Sequence, residues 1–397
     1  MSLRIAFLGP ARIAVAVLFS LFSNSLAEIV ISANDNKPDP ASRTSSLDSP
    51  PDTVTIFDFR RFPPDVKHVT GVNSSLIGPP SAVAVHPDET LALVASSMKP
   101  APAGDKLIPD NIVQVLDLGA DPPKVISRVE VGRQPSSVSI NPSGTLALVT
   151  NRADSTVSVL SIEGKRVKLT STLPVGQPGD EVCGVFIGPD GRQAIVTNRS
   201  RSLVHRLRID EGRVRDSGEE VTVYGHPYHC EISPDGELGL AAGGGAGLNA
   251  GGLSVIRLGA GPMALAGLIV LGSGPESFDI SPDGRLVAAV LVNDTDAPKT
   301  SPRRQEHGKL VLLSRRGATF IQIQETSIEA MPQGVTFTPD GRYLLVQGYL
   351  ARCVDVYTVN NQRLEKTGLR LRVPGRPSSI RIAEKSMVRT PLSKTDK

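Results

Sequence analysis

The sequence predicts an all-β fold, a seven-bladed β-propeller whose last blade is closed by strands from the N- and C-terminal ends of the propeller. Three observations support this prediction: a recurrent turn, paired apolar runs around it, and strand-like ends that complement each other. The turn Pro-Asp-Gly, or a near variant, starts at Pro87, Pro142, Pro189, Pro234, Pro282 and Pro339. Successive prolines lie 45 to 57 residues apart, which is the size of a four-stranded propeller blade.

The stretch Pro135–Ile162 is the least modified copy of the repeat. An alternating run at Ser137–Ile140 precedes the turn Pro142-Ser143-Gly144, and a second apolar run follows at Leu146–Val149. Proline presets φ near the value that a turn needs, and glycine supplies a positive φ. Short apolar runs separated by such turns, without a helical period, indicate antiparallel strands.

The two ends of the repeat region look like parts of one blade. Thr53–Phe57 and Val66–Val72 resemble two outer strands, and Arg376–Ile382 resembles an inner strand. We therefore expect six complete blades and a seventh assembled from both ends, which removes exposed sheet edges. Its second strand is expected to be Ser386–Val388 or to be absent.

The chain divides into four predicted segments. Residues 1–27 read as a signal peptide, since Arg4 and Arg12 accompany a short apolar run and Ser25-Leu26-Ala27 resembles a cleavage site. Residues 28–50, rich in proline and serine, are predicted to be a disordered linker. Residues 51–385 form the propeller, and residues 386–397 a flexible tail. The protein is thus expected to be periplasmic or secreted, with no membrane span after signal cleavage.

Composition narrows the range of partners. The formal net charge is only +3 in 397 residues, so bulk electrostatics do not indicate binding to nucleic acid. The chain is 40% hydrophobic and lacks tryptophan, which predicts a core of Val, Ile, Leu and Ala. We expect a monomer with a small-molecule ligand, and a protein partner remains open.

Three long insertions share one position in the repeat. Ser96–Asn111, Gly243–Gly252 and Asn293–Gly308 each fall between the second and third strands of a blade. These loops emerge on the same face as the segments that lead into the inner strands, because strands alternate in direction. We call this the upper face and expect function there, since binding residues concentrate on loops held by a rigid scaffold.

The segments that lead into the inner strands carry the candidate site residues. His229, Glu276 and Glu181 are the predicted catalytic residues, because imidazole and carboxylate groups at a channel mouth suit general acid–base chemistry. The predicted substrate-binding residues are Arg133, Arg376, His226, Tyr228, Asp180 and Gln333.

Two other uses of these residues stay open. His226, His229, Glu181 and Glu276 could hold a divalent metal ion, although their spacing matches no known metal signature, and the cofactor is otherwise unknown. The three cysteines could include a Cys183–Cys230 disulfide, a Cys183 nucleophile, or only small buried apolar side chains.

Two motifs resemble known propeller families. Val149-Thr150-Asn151 and Val196-Thr197-Asn198 resemble the signature of the YVTN family of β-propeller repeats. The stretch from Gly225 to His229 is similar to a Gly-Pro-Arg-His stretch of the 6-phosphogluconolactonase-like seven-bladed propellers, with Tyr228 in place of the arginine and His226 inserted.

The second resemblance implies a lactonase-like hydrolase. In such a reaction His229 or Glu276 would activate a water molecule, and Arg376 or Arg133 would stabilise the oxyanion. The alternative is a non-catalytic periplasmic propeller that binds a ligand or a protein, including an accessory of a quinone-linked redox system. The chain has no Cys-x-x-Cys-His haem-attachment motif.

Overall fold

The computed structural model describes residues 28–37, 49–75, 77–104, 106–244, 250–259 and 261–383. These residues form 28 strands in seven antiparallel four-stranded sheets, which confirms the all-β, seven-bladed propeller. The predicted signal peptide, the remainder of the predicted linker at 38–48 and the predicted tail lie outside the described residues. Among the described residues, no helix is long and apolar enough to cross a membrane.

The strands follow the chain blade by blade. Three strands come first, β1 (Ile29–Asp35), β2 (Thr53–Asp58) and β3 (Asp65–Thr70). Blade 1 contains β4 (Val83–Val85), β5 (Leu91–Pro100), β6 (Leu107–Asp117) and β7 (Lys124–Glu130). Blade 2 contains β8 (Pro135–Ile140), β9 (Leu146–Asn151), β10 (Thr156–Glu163) and β11 (Arg166–Pro174). Blade 3 contains β12 (Val182–Ile187), β13 (Gln193–Asn198), β14 (Leu203–Asp210) and β15 (Arg213–Thr222).

The second half of the ring has the same order from inner to outer strand. Blade 4 contains β16 (His226–Ile232), β17 (Leu238–Gly244), β18 (Gly251–Arg257) and β19 (Ala264–Gly272). Blade 5 contains β20 (Pro275–Ile280), β21 (Leu286–Leu291), β22 (Gly308–Arg316) and β23 (Thr319–Ile328). Blade 6 contains β24 (Pro332–Phe337), β25 (Tyr343–Gly348), β26 (Cys353–Asn360) and β27 (Arg363–Arg372), and the last strand is β28 (Arg376–Ile382).

Blade 7 joins both ends of the propeller in the order β28-β1-β2-β3. The predicted linker over 28–50 is therefore wrong for residues 28–37, because β1 is the second strand of this blade. Its side chains are buried, and it pairs with β28 on one side and β2 on the other. The mostly apolar run Ile29–Ala33, which is buried throughout, outweighs the proline- and serine-rich residues that follow. Ser386–Val388, the predicted alternative, lies outside the described residues.

The side chain of Glu89 holds the start of β1. Its Oε1 accepts hydrogen bonds from the backbone N–H groups of Glu28 (2.6 Å) and Ile29 (2.9 Å). Glu89 stands where most other repeats have the turn glycine, and its φ is +59°. This variant of the Pro-Asp-Gly turn thus connects blade 1 to the strand that closes the ring.

The core lies between the blades. Seven clusters of buried Val, Ile, Leu and Ala, with a few aromatic side chains, each join two neighbouring sheets around the ring. One cluster joins blade 7 to blade 1 and another joins it to blade 6. The blade formed from both ends is therefore packed like the other six.

One of the three predicted long loops is mostly regular structure. β5 and β6 stay paired through Met98–Pro109 and Pro100–Leu107, so residues 96–100 and 107–111 are the arms of a long hairpin and not an irregular loop. The stretch 293–308 connects β21 to β22 and contains no further strand. The third stretch joins β17 to β18, and its residues 245–249 lie outside the described part of the chain.

Candidate functional site at the channel mouth

The seven inner strands place equivalent residues around the central channel. In six blades a proline lies at the start of the inner strand or shortly before or after it, and blade 3 has Val182 at the equivalent position. The residues directly after this position are Ser81, Ser136, Cys183, Tyr228, Glu276, Gln333 and Ser378. Tyr228 reaches across the channel, since its hydroxyl accepts a hydrogen bond from the Gly78 N–H of blade 1 (2.8 Å). We therefore place the channel mouth at this level.

The Val-Thr-Asn motifs fix the backbone of this ring. Thr150 Oγ1 donates to the carbonyl oxygen of Cys183 (2.5 Å) in the next blade. Thr197 Oγ1 likewise donates to the carbonyl oxygen of Tyr228 (3.0 Å). A Cβ on Gly184 would lie 2.7 Å from that same carbonyl oxygen, so glycine is required for the close approach of the two strands. The motif thereby positions the residues that line the mouth.

A cavity of about 420 Å³ opens on the upper face between blades 2 and 5. Its lining residues are Arg152, Arg199, His226, Tyr228, Gly244, Gly274, Pro275 and Glu276. Three of them, His226, Tyr228 and Glu276, were predicted as site residues from the sequence. The cavity thus combines two guanidinium groups with an imidazole, a phenol and a carboxyl group.

Glu181 holds the two arginines of the cavity in place. Its Oε1 accepts from Arg152 Nη2 (2.9 Å), and its Oε2 accepts from Arg199 Nη1 (3.0 Å). Burial acts to raise the pKa of Glu181, but the charges of Arg152 and Arg199 hold it below its usual range. Glu181 is therefore a carboxylate at neutral pH, and the structure gives it the role of positioning the arginines.

Glu276 differs from Glu181 in its electrostatic environment. Burial, together with the negative charge of Asp296, raises the pKa of Glu276 to about 7. A carboxyl group with this pKa can both accept and release a proton near neutral pH, as general acid–base catalysis requires. Its location in the cavity makes it the strongest catalytic candidate.

Tyr228 and His226 contribute polar groups to the same cavity. Burial raises the pKa of Tyr228, so its hydroxyl stays protonated at neutral pH and can donate a hydrogen bond. His226 is exposed, and its Nδ1 lies 3.1 Å from the carbonyl oxygen of Arg199. Both side chains are accessible to a ligand that enters the cavity from the upper face.

His229 lies deeper in the molecule than the sequence suggested. It follows Tyr228 by one residue and is only 1% exposed. Its Nε2 lies 3.0 Å from a guanidinium nitrogen of Arg381 and 3.1 Å from Glu231 Oε1. Burial and the charge of Arg381 hold the pKa of His229 well below its usual range, so the imidazole is neutral. It is not among the residues that line the cavity.

His229 belongs to a buried polar cluster inside the channel, formed with Glu231, Asp279, Thr336 and Arg381. Arg381 of blade 7 contacts Glu231 of blade 4 and lies 3.9 Å from Asp279 of blade 5. Asp279 also accepts from Thr336 Oγ1 (3.1 Å) of blade 6. This cluster connects four blades across the channel axis.

Four other predicted substrate-binding residues do not line the cavity. Asp180 accepts from the Gln177 N–H and from Asn198 Nδ2, both at 2.8 Å, and so stabilises its own turn. Arg133 pairs with Asp154 (2.7 Å), and Arg376 lies over the ring of Tyr349. Gln333 is buried, with its Nε2 bonded to the carbonyl oxygen of Pro332.

The sequence contains a signal for the two arginines that the prediction missed. Arg152 follows Val149-Thr150-Asn151, and Arg199 follows Val196-Thr197-Asn198, so the motif Val-Thr-Asn-Arg occurs in two successive blades. Both arginines begin a loop on the upper face, directly after β9 and β13. An arginine repeated at this position becomes a signal for a ligand-binding pair once the position is assigned to the upper face.

The structure bears on the cysteine and metal hypotheses in different ways. Cys183, Cys230 and Cys353 are buried free thiols, so the Cys183–Cys230 disulfide is wrong. Burial raises the pKa of Cys183 to about 12, which keeps its thiol protonated at neutral pH. Within the described ranges, no three His, Cys, Asp or Glu side chains converge to hold a metal ion.

Comparison with known proteins shows which solved structures the chain resembles. No protein-family model and no curated protein matches it. A protein of Bacteroides uniformis, named for a proposed 6-phosphogluconolactonase activity, shares 17% identity at a TM-score of 0.66 and aligns over 90% of this chain and 100% of its own. The periplasmic gluconolactonase of Pseudomonas aeruginosa shares 18% identity at a TM-score of 0.63, over 89% and 99% of the two chains.

A third structure of the same architecture has a redox function. Dihydro-heme d1 dehydrogenase shares 18% identity at a TM-score of 0.54, over 91% of this chain and 76% of its own. At identities this low, the similarity establishes the fold and not the chemistry. The chain is therefore distantly similar in structure to the 6-phosphogluconolactonase-like seven-bladed β-propellers.

Proposed function

We propose that this protein is an exported hydrolase that opens lactones in the upper cavity. The observation that carries the proposal is Glu276, a carboxyl group with a pKa of about 7, in one cavity with Arg152 and Arg199. The named lactonases among the structural neighbours support the substrate class. Export is supported by the signal-like residues 1–27 and by the periplasmic neighbour.

The reaction uses one water molecule. The Glu276 carboxylate takes a proton from water while the water oxygen attacks the lactone carbonyl carbon. The resulting oxyanion accepts hydrogen bonds from the guanidinium groups and from the Tyr228 hydroxyl. The acyl C–O bond of the ring then breaks, and Glu276 returns its proton to the departing alkoxide. The product is a hydroxycarboxylate, whose acidic proton is released to solvent.

A non-catalytic function remains the second candidate. Glu181 already forms ion pairs with both arginines, which reduces the positive charge that they offer to an oxyanion. A propeller that binds a neutral ligand, or a protein, would tolerate this arrangement. Within this alternative, the redox enzyme among the structural neighbours supports a role for this protein as an accessory of a redox system.

The proposal is tested with a panel of lactones, including aldonolactones of different ring size. We expect wild-type protein to open at least one of them and Arg199→Ala to lower kcat/KM about 10- to 100-fold through lost oxyanion stabilisation. Arg192→Ala serves as the matched control, since this exposed arginine lies in blade 3 beside the Pro-Asp-Gly turn of the opposite face. Acid release in a pH-stat measures the rate. An absence of turnover on the whole panel would favour the binding function.

A further inference from the structure

Glu28, the first residue that the structure describes, occupies a defined position of the blade repeat. In the other six blades, the equivalent residue directly follows the turn before the second strand. Its carbonyl oxygen accepts a hydrogen bond from an N–H group near the end of the third strand, and its own N–H donates to a side chain of the turn. These six residues are Thr90, Thr145, Arg192, Glu237, Arg285 and Arg342. In blade 7 the Glu28 carbonyl oxygen accepts the equivalent bond from the Phe59 N–H (2.9 Å).

Blade 7 has no turn before its second strand, because its inner strand β28 comes from the other end of the propeller. A side chain of blade 1 replaces the missing acceptor, since Glu89 Oε1 lies 2.6 Å from the Glu28 nitrogen. Glu28 is therefore the first residue that the repeat uses. The predicted cleavage site Ser25-Leu26-Ala27 ends directly before it. Two independent observations thus point to the same peptide bond as the start of the mature chain.

The charges around the Glu28 nitrogen are not balanced. Two nearby carboxylates have guanidinium partners, in the pairs Asp58–Arg60 and Asp340–Arg342. Neither Glu28 nor Glu89 has such a partner among the described residues, and Oε2 of Glu28, a residue only 6% exposed, is buried there without a hydrogen-bond partner. Burial and the neighbouring carboxylates, that of Asp340 first, raise the pKa of Glu28 to about 7, although the charge of Arg342 opposes this. A cation at the Glu28 nitrogen would therefore meet two carboxyl groups that lack one.

We propose that the mature protein begins at Glu28 and that its α-ammonium group forms an ion pair with Glu89, which fastens β1 to blade 1. A signal peptidase of the exporting membrane hydrolyses the bond between Ala27 and Glu28 with one water molecule. The Ala27 carbonyl carbon takes the water oxygen and becomes a carboxylate, and both water protons end on the Glu28 nitrogen. The existing bond to Glu89 becomes charge-assisted, which makes it about twice as strong. This inference rests on the export in the proposed function and not on lactone opening.

The ion pair distinguishes the processed chain, which starts at Glu28, from any chain that is longer at this end. A longer chain keeps the Glu28 N–H and its bond to Glu89, but the nitrogen is then a neutral amide. Processing adds a positive charge at the point where the carboxyl groups of Glu28 and Glu89 lack one. The processed propeller should therefore be more stable than a propeller with even one extra residue before Glu28.

The first test is the intact mass of the protein that a bacterium exports when it expresses the full chain. We expect a mass that begins at Glu28, with a free α-amino group. A chain that begins at another residue, or one that has lost a water molecule because Glu28 has cyclised to a neutral lactam, would overturn the proposal. Retention of residues 1–27 would overturn it together with export, while lactone opening would still be decided by its own assay.

The second test separates the charge from the hydrogen bond. Insertion of one threonine between Ala27 and Glu28 moves the ammonium group by one residue and leaves an amide at Glu28, and the mass verifies the new start. At pH 7 we expect the equilibrium constant for unfolding in urea to be about 5- to 30-fold higher for the inserted chain. Glu89→Gln, whose amide oxygen still accepts the bond, should cause a similar rise in the processed chain and little change in the inserted chain.

Glu237→Gln is the matched control for these measurements. Glu237 is exposed and occupies in blade 4 the position that Glu28 occupies in blade 7. Because it lies in another blade, its replacement should have the same effect in the processed and the inserted chain. Equal effects of Glu89→Gln in the two chains would contradict the ion pair.

The pH dependence identifies the ammonium group as the cause. An α-amino group ordinarily has a pKa of about 8, and pairing with Glu89 raises this pKa in the folded state. Its stabilisation is then complete below the ordinary value and is lost as the pH rises through the folded value. The difference in stability between the processed and the inserted chain should therefore be largest near pH 7 and shrink toward pH 10. A difference that stays unchanged up to pH 10 would overturn the proposed ion pair.

Discussion

Replacing Arg381 by methionine is expected to lower the free energy of unfolding by about 3–5 kcal/mol, as for other buried ion pairs that lose one partner. Arg381 is 5% exposed and faces Glu231 and Asp279, which are also buried. Methionine has a similar length but no charge, so two carboxyl groups would remain without their guanidinium partner. Urea unfolding followed by far-UV circular dichroism measures the change, because the chain has no tryptophan.

The pH dependence separates this electrostatic cause from lost packing. Burial raises the pKa of Glu231. Burial and the negative charge of Glu231 raise the pKa of Asp279 well above its usual value. The positive charge of Arg381 lowers both pKa values, but by less than these effects raise them. A carboxyl group with a raised folded pKa stabilises the fold below its unfolded pKa near 4, and that stability is lost as the pH rises toward the folded value. The loss in the free energy of unfolding caused by Arg381→Met should therefore be small at pH 4 and largest above neutrality.

Two further variants complete this test. Arg285→Met is the control, because Arg285 is exposed and lies 3.9 Å from its nearest acidic partner, Asp283; we expect a change of about 0.5 kcal/mol or less. Adding Glu231→Gln and Asp279→Asn to Arg381→Met should recover part of the stability, because no buried charge is then left. A deficit that does not vary with pH would show that Arg381 acts through packing alone.

Glu276→Gln is expected to lower kcat for lactone opening by about 10²- to 10⁴-fold, the usual contribution of a general base. Glutamine keeps the shape of the side chain but cannot accept the proton from water. The wild-type rate, corrected for spontaneous hydrolysis, should rise with pH through about 7 as Glu276 loses its proton. The variant should lack this rise, and initial-rate measurements from pH 5 to 8.5 compare the two profiles.

Asp296 provides an independent check on the assignment of this pKa. Its negative charge contributes to the raised pKa of Glu276, so Asp296→Asn should move the acidic limb of the profile to lower pH with kcat retained at high pH. Asp283→Asn, which removes an exposed carboxylate of the same blade at its Pro-Asp-Gly turn, should leave the profile unchanged. If Glu276→Gln retained full activity, catalysis at this cavity would need another base.

The sequence was sufficient for the architecture because the blade is a local unit. Pro-Asp-Gly turns and the apolar runs around them specify a hairpin from adjacent residues, and their repetition specifies the ring. The prediction failed at β1, where a seven-residue strand precedes a stretch rich in proline and serine. Its partner β28 begins more than 300 residues later, so no local pattern could reveal the pairing.

The site was predictable in part for the same reason. Tyr228 and Glu276 occupy one position of the repeat, directly after the proline, and the structure places both in the cavity. His229 is one residue further along its strand, where the side chain turns into the buried interior. Arg152 and Arg199 were missed because they follow the second strand of their blades and reach the cavity only when the sheets are packed.

The sequence by itself determined the blade, the number of repeats and the face on which the charged segments lie. Only the tertiary structure decided which charges meet. Arg381 contacts residues that precede it by about 100 to 150 positions, and Glu181 is shared by arginines of two blades. Ring closure creates these contacts, because a channel brings together residues from every blade whatever their separation along the chain.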